Sequence, residues 1–343
     1  MTTEKTATAS AAMGLAGEQP GQGPQVPSSP QLTCPICDRP LQPTHVRAFD
    51  RLVTGDGPFT VVECTSCHYG VTVPQLSNEE LTPYYSNEYY EGYCEYSGQK
   101  SANPLYRLRG WVRQRSTVRR YQHQPFLLSG VTPGRILDVG CGAGDLLEHF
   151  AEQGWETYGI DPSGSAVAAA SRRGAETHQG TLGDQPWQPG SFQLITFQHA
   201  LEHIDNPLDA LRRARELLAP NGLLVITVPN WSCWQRRLLF RNRWVHLDLP
   251  RHLQHFSPRA LKRLAGALDL EVQEIGTTST AVSASYSLLY VLAGRWSPGW
   301  KLWLCYALGI LVLPFVLLGD RLGGGDCCFI VMKRARDRPE PAV

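Results

Sequence analysis

One stretch constrains the fold of this chain more than any other: residues 135–161, which read RILDVGCGAGDLLEHFAEQGWETYGID. It begins with a short, mostly apolar run, residues 136–139, that predicts a buried parallel strand. Glycines follow at alternate positions, at Gly140, Gly142 and Gly144. A helical pattern comes next, and a second strand ends on Asp161. A strand, a glycine turn, a helix and a strand in this order predict one unit of an open α/β sheet.

The glycine turn also carries information about the ligand. Glycines let a backbone approach a ligand closely and adopt positive φ without strain, and the helix behind them offers unpaired N–H groups. Asp161, about 20 residues after the glycines at the end of the next strand, can accept hydrogen bonds from both hydroxyls of a ribose. The turn therefore predicts a site for a nucleoside cofactor.

The spacing of the motif separates two classes of cofactor. A dinucleotide site is marked by G-x-G-x-x-G, in which a pyrophosphate lies on the end of the helix. This chain instead has Asp138 two residues before the first glycine, and a carboxylate there suits a cation. S-adenosylmethionine carries positive charge on its sulfonium and amino groups. The pattern resembles D-x-G-x-G-x-G, the first motif of the class I S-adenosylmethionine-dependent methyltransferases.

That resemblance implies a set of cofactor contacts. The methionine moiety would be lined by Gly140, Gly142 and Gly144, with Asp138 nearby, and the ribose would be held by Asp161. Further contacts, with the adenine and near the cofactor, would come from Thr181, Leu182 and Gln198. Many relatives carry an acid where this chain has Thr181, so the contact with the adenine amino group would differ from theirs.

The rest of the core alternates strands and helices. Strands are predicted near 135–139, 156–160, 175–178, 193–198, 222–228, 270–276 and 327–333, and helices near 144–153, 164–173, 207–218 and 257–268. This alternation predicts a doubly wound, mostly parallel α/β sheet with its ligand at the carboxyl ends of the strands. The resemblance implies the seven-stranded, Rossmann-like sheet of the class I methyltransferases, over residues 126–280 and 320–335.

Two cysteine pairs precede the glycine motif. They are Cys34-x-x-Cys37 and Cys64-x-x-Cys67. Each pair can turn two thiolates onto one ion, so together they supply a tetrahedral site for Zn²⁺. We predict a structural zinc ribbon over residues 31–75, because a catalytic zinc would keep an open position. A disulfide or a redox pair is the alternative, and the lack of a recognisable export signal favours reduced thiols.

Two histidines are candidates for the chemistry of a methyltransferase. Transfer of a methyl group to a hydroxyl needs a proton removed as the oxygen attacks, and a histidine with a pKa near 6.5 suits that task. His252 matches a histidine that is frequent at this place in related enzymes and is the first candidate. His203 lies in a Leu-Glu-His stretch typical of the family and is the second. The alternative is that both histidines hold their loops by hydrogen bonds.

The same stretch suggests a second metal. In ubiquinone-pathway O-methyltransferases, which it resembles, the motif reads E-x-x-E-H and is associated with a divalent metal. This chain has His199, Glu202 and His203 there, and three ligands on one turn can bind an ion. The alternative, that Glu202 and His203 only order the loop, is the one we favour.

An apolar insertion, residues 281–319, separates the last two predicted strands. Its second part, 302–319, is uncharged and long enough to suggest a spanning helix. A single span would leave the final strand on the wrong side of a membrane, so we predict a helical hairpin that lies in or dips into one leaflet. The expected location is cytoplasmic, at the inner face of the membrane. Burial against a partner chain is the alternative.

The remaining segments carry less information. Residues 1–30 and 336–343 are predicted to be tails, the first of them disordered because it has few large apolar groups. Residues 76–125 are predicted to be a linker, rich in tyrosine and then in arginine. Its tyrosines either pack the ribbon onto the core or cover the site as a lid. Its arginine-rich helix presents either a solvated face or a contact for phosphates.

The sequence thus predicts a membrane-docked methyltransferase that acts, most plausibly on oxygen, on a small amphipathic or lipid-linked acceptor. A zinc-ribbon RNA methyltransferase is the second hypothesis, but the net charge of +1 and the apolar insertion argue against a nucleic-acid partner. A non-catalytic module that senses the cofactor is the third. The sequence assigns neither the acceptor nor the oligomeric state.

Overall fold

The structure is a computed structural model that describes residues 32–85, 132–279, 281–295 and 300–334. The strands of this part are β1 (Leu41–Ala48), β2 (Phe59–Cys64), β3 (Gly70–Val73), β4 (Arg135–Val139), β5 (Glu156–Asp161), β6 (Glu176–Gln179), β7 (Phe192–Gln198), β8 (Leu218–Pro229), β9 (Gln254–His255), β10 (Leu270–Thr278) and β11 (Cys327–Arg334). The helices are α1 (Asn78–Leu81), α2 (Asp145–Ala151), α3 (Gly164–Ser171), α4 (Pro207–Leu217), α5 (Pro258–Ala267), α6 (Ala281–Ala293) and α7 (Trp300–Arg321). The predicted tails, the arginine-rich helix and most of the tyrosine-rich segment lie outside the described residues.

A seven-stranded sheet carries the core, in the order β10-β11-β8-β7-β4-β5-β6. The five strands from β8 to β6 run parallel, and β11 pairs antiparallel with both of its neighbours. The central strands are apolar and buried because helices cover the sheet, so Ile136, Leu194 and Val225 pack with Phe150 of α2. The predicted fold class and all seven predicted core strands are confirmed. The direction in which successive strands are added to the sheet reverses between β4 and β7. In open α/β sheets ligands bind at the carboxyl ends of the strands at such a point, so we expect the ligand site there.

A second, four-stranded sheet has the order β1-β2-β3-β9. Its first three strands come from the predicted ribbon, but β9 belongs to the loop that follows β8. Gly70 pairs with His255, and Val71 pairs with Gln254. The ribbon therefore shares a sheet with a loop that lies almost two hundred residues further along the chain.

A hydrophobic core of its own holds this second sheet in place. Phe59 and Val61 of the ribbon pack with Trp231, Trp244 and Leu253 of the loop after β8. The hydroxyl of Ser257, which caps α5, also donates to the carbonyl oxygen of Cys67, 2.8 Å away. The loop is thus fixed from both sides, by β8 and by the ribbon.

The apolar insertion forms a helical hairpin, as predicted, from α6 and α7. The hairpin packs on the loop after β8: the Ser287 hydroxyl accepts from the Val245 amide at 3.0 Å, and Arg243 donates to the carbonyl of Tyr290 at 2.6 Å. Its outer side keeps large apolar side chains exposed, at Val291, Leu292, Trp300, Leu304, Phe315, Leu318 and Leu322. Within the part of the chain that the structure describes, none of the helices combines the length and the apolar character that crossing a membrane would require.

Candidate active site

The glycine turn between β4 and α2 forms a cradle at the carboxyl edge of the sheet. All three glycines have positive φ, at Gly140 (76°), Gly142 (51°) and Gly144 (82°). A Cβ at Gly140 would lie 2.5 Å from the Cβ of Ala200, so the turn passes directly against the loop that follows β7. A Cβ at Gly142 would meet nothing within 4 Å. The backbone of Gly142 therefore faces open space, as a cofactor site requires.

Asp161 closes the cradle from the end of β5. Its Oδ2 accepts from the amide of Gly142 at 3.0 Å, and its Oδ1 accepts from the amide of Ser163 at 2.8 Å. Each carboxylate oxygen has capacity for a second hydrogen bond, so both can also accept from ribose hydroxyls. Burial raises the pKa of Asp161, although these two amides and the charge of His203 oppose that effect. His203 is therefore close enough to Asp161 to link the cradle with the loop after β7.

The other predicted cofactor residues take different positions. Asp138 is buried, accepts from the Thr196 hydroxyl at 2.6 Å, and has its pKa raised to about 7 by burial. The exposed Thr181 forms a capping box with Asp184, and the side chain of Leu182 is buried. Gln198 is half-buried and donates to the Thr227 hydroxyl at 3.2 Å. Asp138 thus stands behind the cradle rather than in its opening.

The loop after β7 meets the loop after β8 at two histidine rings. The rings of His203 and His252 lie 4.7 Å apart between centroids and are nearly perpendicular. Glu202, His203 and His252 can each place one ligand atom within 4.8 Å of the others. The structure therefore groups Glu202 and His203 with His252, whereas the sequence had suggested His199 as their companion.

The tautomer of His252 follows from its partner. Nδ1 lies 2.9 Å from the carbonyl oxygen of His246. Because a carbonyl only accepts, Nδ1 carries the proton and Nε2 keeps its lone pair. Burial, with the nearby charge of His203, lowers the pKa of His252 well below its usual value. The ring is therefore neutral near neutral pH, the form in which Nε2 can accept a proton.

His203 and Glu202 complete this group. Nδ1 of His203 lies 3.0 Å from the carbonyl oxygen of Arg251, to which it donates its proton. Tyr85 places its hydroxyl 3.0 Å from the same Nδ1. Burial raises the pKa of Glu202, but hydrogen bonding and charge from His199 outweigh it and hold that pKa below its usual range. Two histidine rings thus lie beside a buried carboxylate.

A buried ion pair fixes the loop that carries His252. Arg251 is completely buried and donates to Asp50 of the ribbon at 2.7 Å and to Asp248 at 2.6 Å. Burial raises the pKa of Asp50, but the charge of Arg251 outweighs this effect and holds that pKa below its usual value. The Thr72 hydroxyl also donates to the carbonyl of His252 at 2.6 Å. Sequence reasoning missed these contacts, because no local pattern joins Asp50 to Arg251.

The four ribbon cysteines converge as predicted. The Sγ atoms of Cys34 and Cys67 lie 3.5 Å apart, as do those of Cys37 and Cys64, and Cys37 and Cys67 are separated by 3.8 Å. Four thiolates about 2.3 Å from a tetrahedral zinc would lie about 3.8 Å from each other. A hydrogen bond from Cys67 also lowers the pKa of Cys34 to about 5, which favours a thiolate. The set fits a zinc ion with little movement.

Comparison with known proteins indicates a methyltransferase. A protein-family profile described as a methyltransferase domain matches residues 111–275. The chain is 28% identical over 177 residues to a ubiquinone biosynthesis O-methyltransferase of Azorhizobium caulinodans, covering 48% of this chain and 70% of that protein. It is 25% identical over 201 residues to the enzyme of the same name from Rhodopseudomonas palustris, covering 52% and 79%.

Two solved methyltransferase structures align with part of this chain at TM-scores below 0.5. A methyltransferase from Thermotoga maritima, described as a possible histamine N-methyltransferase, aligns with a TM-score of 0.41 and 18% identity over 65% of this chain and 99% of its own. A geranyl diphosphate C-methyltransferase from Streptomyces coelicolor aligns with a TM-score of 0.45 and 14% identity over 70% and 89%.

Proposed function

This chain belongs to the class I S-adenosylmethionine-dependent methyltransferases, and we propose that it transfers the methyl group to an oxygen atom of an amphipathic acceptor. In this proposal the methionine end of the cofactor lies over Gly140, Gly142 and Gly144, and Asp161 binds the ribose. The adenine lies beside Thr181 and Leu182, while Gln198 and the buried Asp138 stand near the methionine end.

The observation that carries the proposal is the histidine pair beside the cradle, in which the buried His252 is neutral. The loop after β7 contacts the glycine turn through Ala200, and the next turn of that loop presents His203 toward His252. A hydroxyl that attacks the methyl carbon must lose its proton, and Nε2 of His252 is an unprotonated acceptor at that edge. His252 is the proposed general base, and His203 is the second candidate for that role.

The proposal that the acceptor is attacked at oxygen rests on the relatives. Both of those described above are named as O-methyltransferases of ubiquinone biosynthesis. A neutral histidine is also matched to a hydroxyl, whose proton it accepts as negative charge builds on the oxygen. An acceptor with a polar, hydroxylated head would place that head at the histidines.

The proposal that the acceptor is amphipathic rests on the hairpin of α6 and α7. Its exposed apolar side chains include Trp300, at 72%, and Leu322, at 79%. The segment after β8 adds exposed Leu238 and Leu239 beside the exposed arginines Arg237, Arg241 and Arg243. Apolar side chains flanked by arginines are typical of a surface that binds anionic lipid headgroups. We propose that this face rests on a membrane and receives the acceptor there.

The ribbon is proposed to hold a structural zinc ion through Cys34, Cys37, Cys64 and Cys67. The ion would fix the two Cys-x-x-Cys turns at one end of the sheet β1-β2-β3-β9 and thereby hold the loop that carries His252. It would take no part in the methyl transfer, because four thiolates leave no position open for a substrate.

The test of the enzymatic proposal has two parts. The purified chain is first titrated with S-adenosylhomocysteine by calorimetry, and binding is expected. It is then incubated with methyl-labelled S-adenosylmethionine and a bacterial lipid extract, and the label is expected in lipid as a methyl ether stable to mild base. Absence of nucleoside binding would refute the proposal. Label found in RNA or in protein instead of lipid would refute the acceptor class.

The membrane proposal is tested separately by flotation with vesicles that contain anionic lipid. Replacing Arg237 and Arg241 with glutamine is expected to reduce the floated fraction, and raising the salt concentration should do the same. Arg212→Gln, on the exposed side of α4, is the matched control and should float like the wild type. Equal flotation of both variants would contradict an arginine-lined membrane face.

A further inference from the structure

A second polar cluster, separate from His203 and His252, contains the buried carboxylate of Asp326. Asp326, which directly precedes β11, is 0% exposed, and neither of its carboxylate oxygens has a hydrogen-bond partner within the described residues. Oδ2 lies 3.8 Å from Nε2 of His246, which is too long for a hydrogen bond. Because an uncompensated buried carboxylate is strongly unfavourable, this group needs either a proton or a cation beside it.

Two further donors converge on this carboxylate. His246, Asp326 and Cys327 can each place one ligand atom within 4.8 Å of the other two. His246 comes from the loop after β8 and is also 2.9 Å from the hydroxyl of Ser283, whereas the buried Cys327 begins β11. Metal–ligand bonds of about 2.0–2.3 Å place such donors about 3.3–3.8 Å apart, so a small adjustment brings all three onto one ion.

His199 stands beside this set in an orientation that suits a ligand. Its Nε2 lies 3.9 Å from Sγ of Cys327, and its ring is stacked on that of His246, with centroids 6.1 Å apart. Its Nδ1 is 3.3 Å from Oε1 of Glu202, which as a carboxylate accepts the Nδ1 proton and leaves the Nε2 lone pair toward the thiol. In many metal sites a carboxylate accepts the second ring N–H of a metal-binding histidine and so fixes the orientation of the ring.

From these contacts we propose that His246, Asp326 and Cys327, with His199 beside them, bind one divalent transition-metal ion. A thiolate, imidazoles and a carboxylate form a mixed donor set that suits zinc and its neighbours rather than magnesium or calcium, which prefer oxygen ligands. The site is separate from the four ribbon cysteines. It lies where the carboxyl end of β8 meets the beginning of β11, next to the loop that carries Glu202.

The experiment is a count of bound zinc. The full-length chain and its variants are equilibrated with zinc and desalted, and the metal per chain is measured by mass spectrometry. Asp326→Asn and Cys327→Ser are each expected to hold one zinc ion fewer than the wild type. Cys328→Ser is the matched control, because Cys328 is an equally buried thiol that points to the other face of the strand, and it should keep the wild-type count.

Two further variants make the result decisive. His246→Gln changes a partly exposed loop residue, so it tests the same site with less risk to the fold, and thermal unfolding of every variant is measured alongside. Cys34→Ser removes one ligand of the ribbon zinc and serves only to identify the ribbon's own ion, because the ribbon also packs on the loop that carries His246. If Asp326→Asn, Cys327→Ser and His246→Gln fold and still retain the wild-type amount of zinc, the proposed site does not exist.

Discussion

The two sides of the carboxyl edge of the sheet are built in different ways. The part proposed to bind the methionine and ribose of the cofactor comes from one continuous stretch, residues 135–161, in which Asp161 bonds to the backbone of Gly142. The proposed acceptor side is assembled from distant parts of the chain, with Asp50 of the ribbon holding Arg251 and Thr72 holding the carbonyl of His252. Damage to the ribbon should therefore disable the acceptor side while the cofactor side survives.

This contrast gives the ribbon a mechanical role. It supplies three strands to the sheet that β9 completes, and it surrounds the loop after β8 with apolar side chains. The hairpin of α6 and α7 packs on the same loop from the other direction. The geometry of His252 thus depends directly on two additions to the basic fold, whereas the contacts of the glycine turn described above are with Ala200 and Asp161 of the core.

The largest effect is expected at the proposed base. In His252→Asn, the amide nitrogen can take the place of Nδ1 and donate to the carbonyl of His246, but the basic Nε2 is lost. Methyl transfer should fall by about 10²–10⁴-fold, the usual contribution of a general base. Affinity for S-adenosylhomocysteine, measured by calorimetry, should stay unchanged. Full turnover in this variant would exclude His252 as the base and transfer the role to His203.

Next in size is the effect of filling the cradle. In Gly140→Ala the new Cβ would meet Ala200 at 2.5 Å, and the residue would keep a φ of 76°. The backbone strain of about 1–2 kcal/mol and a similar cost of overpacking should displace the turn and weaken cofactor binding at least tenfold. Gly154→Ala is the control, because its φ of 85° is similar but its Cβ would meet nothing within 4 Å. Equal affinities in the two variants would show that the turn does not contact the cofactor.

Replacing Asp50, the ribbon residue that pairs with Arg251, tests directly whether the cofactor side and the acceptor side are independent. Asp50→Ala removes the ribbon carboxylate from the buried Arg251, which keeps Asp248 and the carbonyl of Tyr84 as acceptors. Loss of one charged partner of such a pair should lower the free energy of unfolding by about 3 kcal/mol. Turnover should fall while S-adenosylhomocysteine still binds. Asp56→Ala, at an exposed position of the same ribbon loop, should change neither property. If Asp50→Ala weakened cofactor binding as much as turnover, the two sides would not be independent.

The smallest expected effect is a pH dependence of stability. Burial lowers the pKa of His255 to about 3, whereas an unfolded histidine titrates near 6.5. Between these values the unfolded state binds the extra proton, so His255 makes the free energy of unfolding fall on acidification by up to about 1.4 kcal/mol per pH unit. In His255→Gln, denaturant unfolding from pH 7 to pH 5 should show a smaller loss. An unaltered slope would mean that His255 is not neutral in the folded state.

Some site residues could be found from the sequence, and others could not. The glycines, Asp161 and the four ribbon cysteines follow from spacing alone, and the structure brings each group together. His203 and His252 came from resemblance, yet nothing in the sequence showed that their rings meet or that Glu202 joins them. Sequence reasoning missed Asp326, although it is a charged side chain directly before the apolar first part of strand β11, residues 327–332.

The sequence by itself determined the alternating α/β core, the glycine turn, the two Cys-x-x-Cys pairs and the helical hairpin. These features depend on side-chain periodicity, glycine conformation and ligand spacing, which act over short stretches of chain. Only the tertiary structure decided that β9 joins the ribbon sheet, that Asp50 holds Arg251, and that His246 meets Asp326. Such meetings depend on which apolar surfaces are buried together and in which register, and residues far apart in sequence carry no local mark of either.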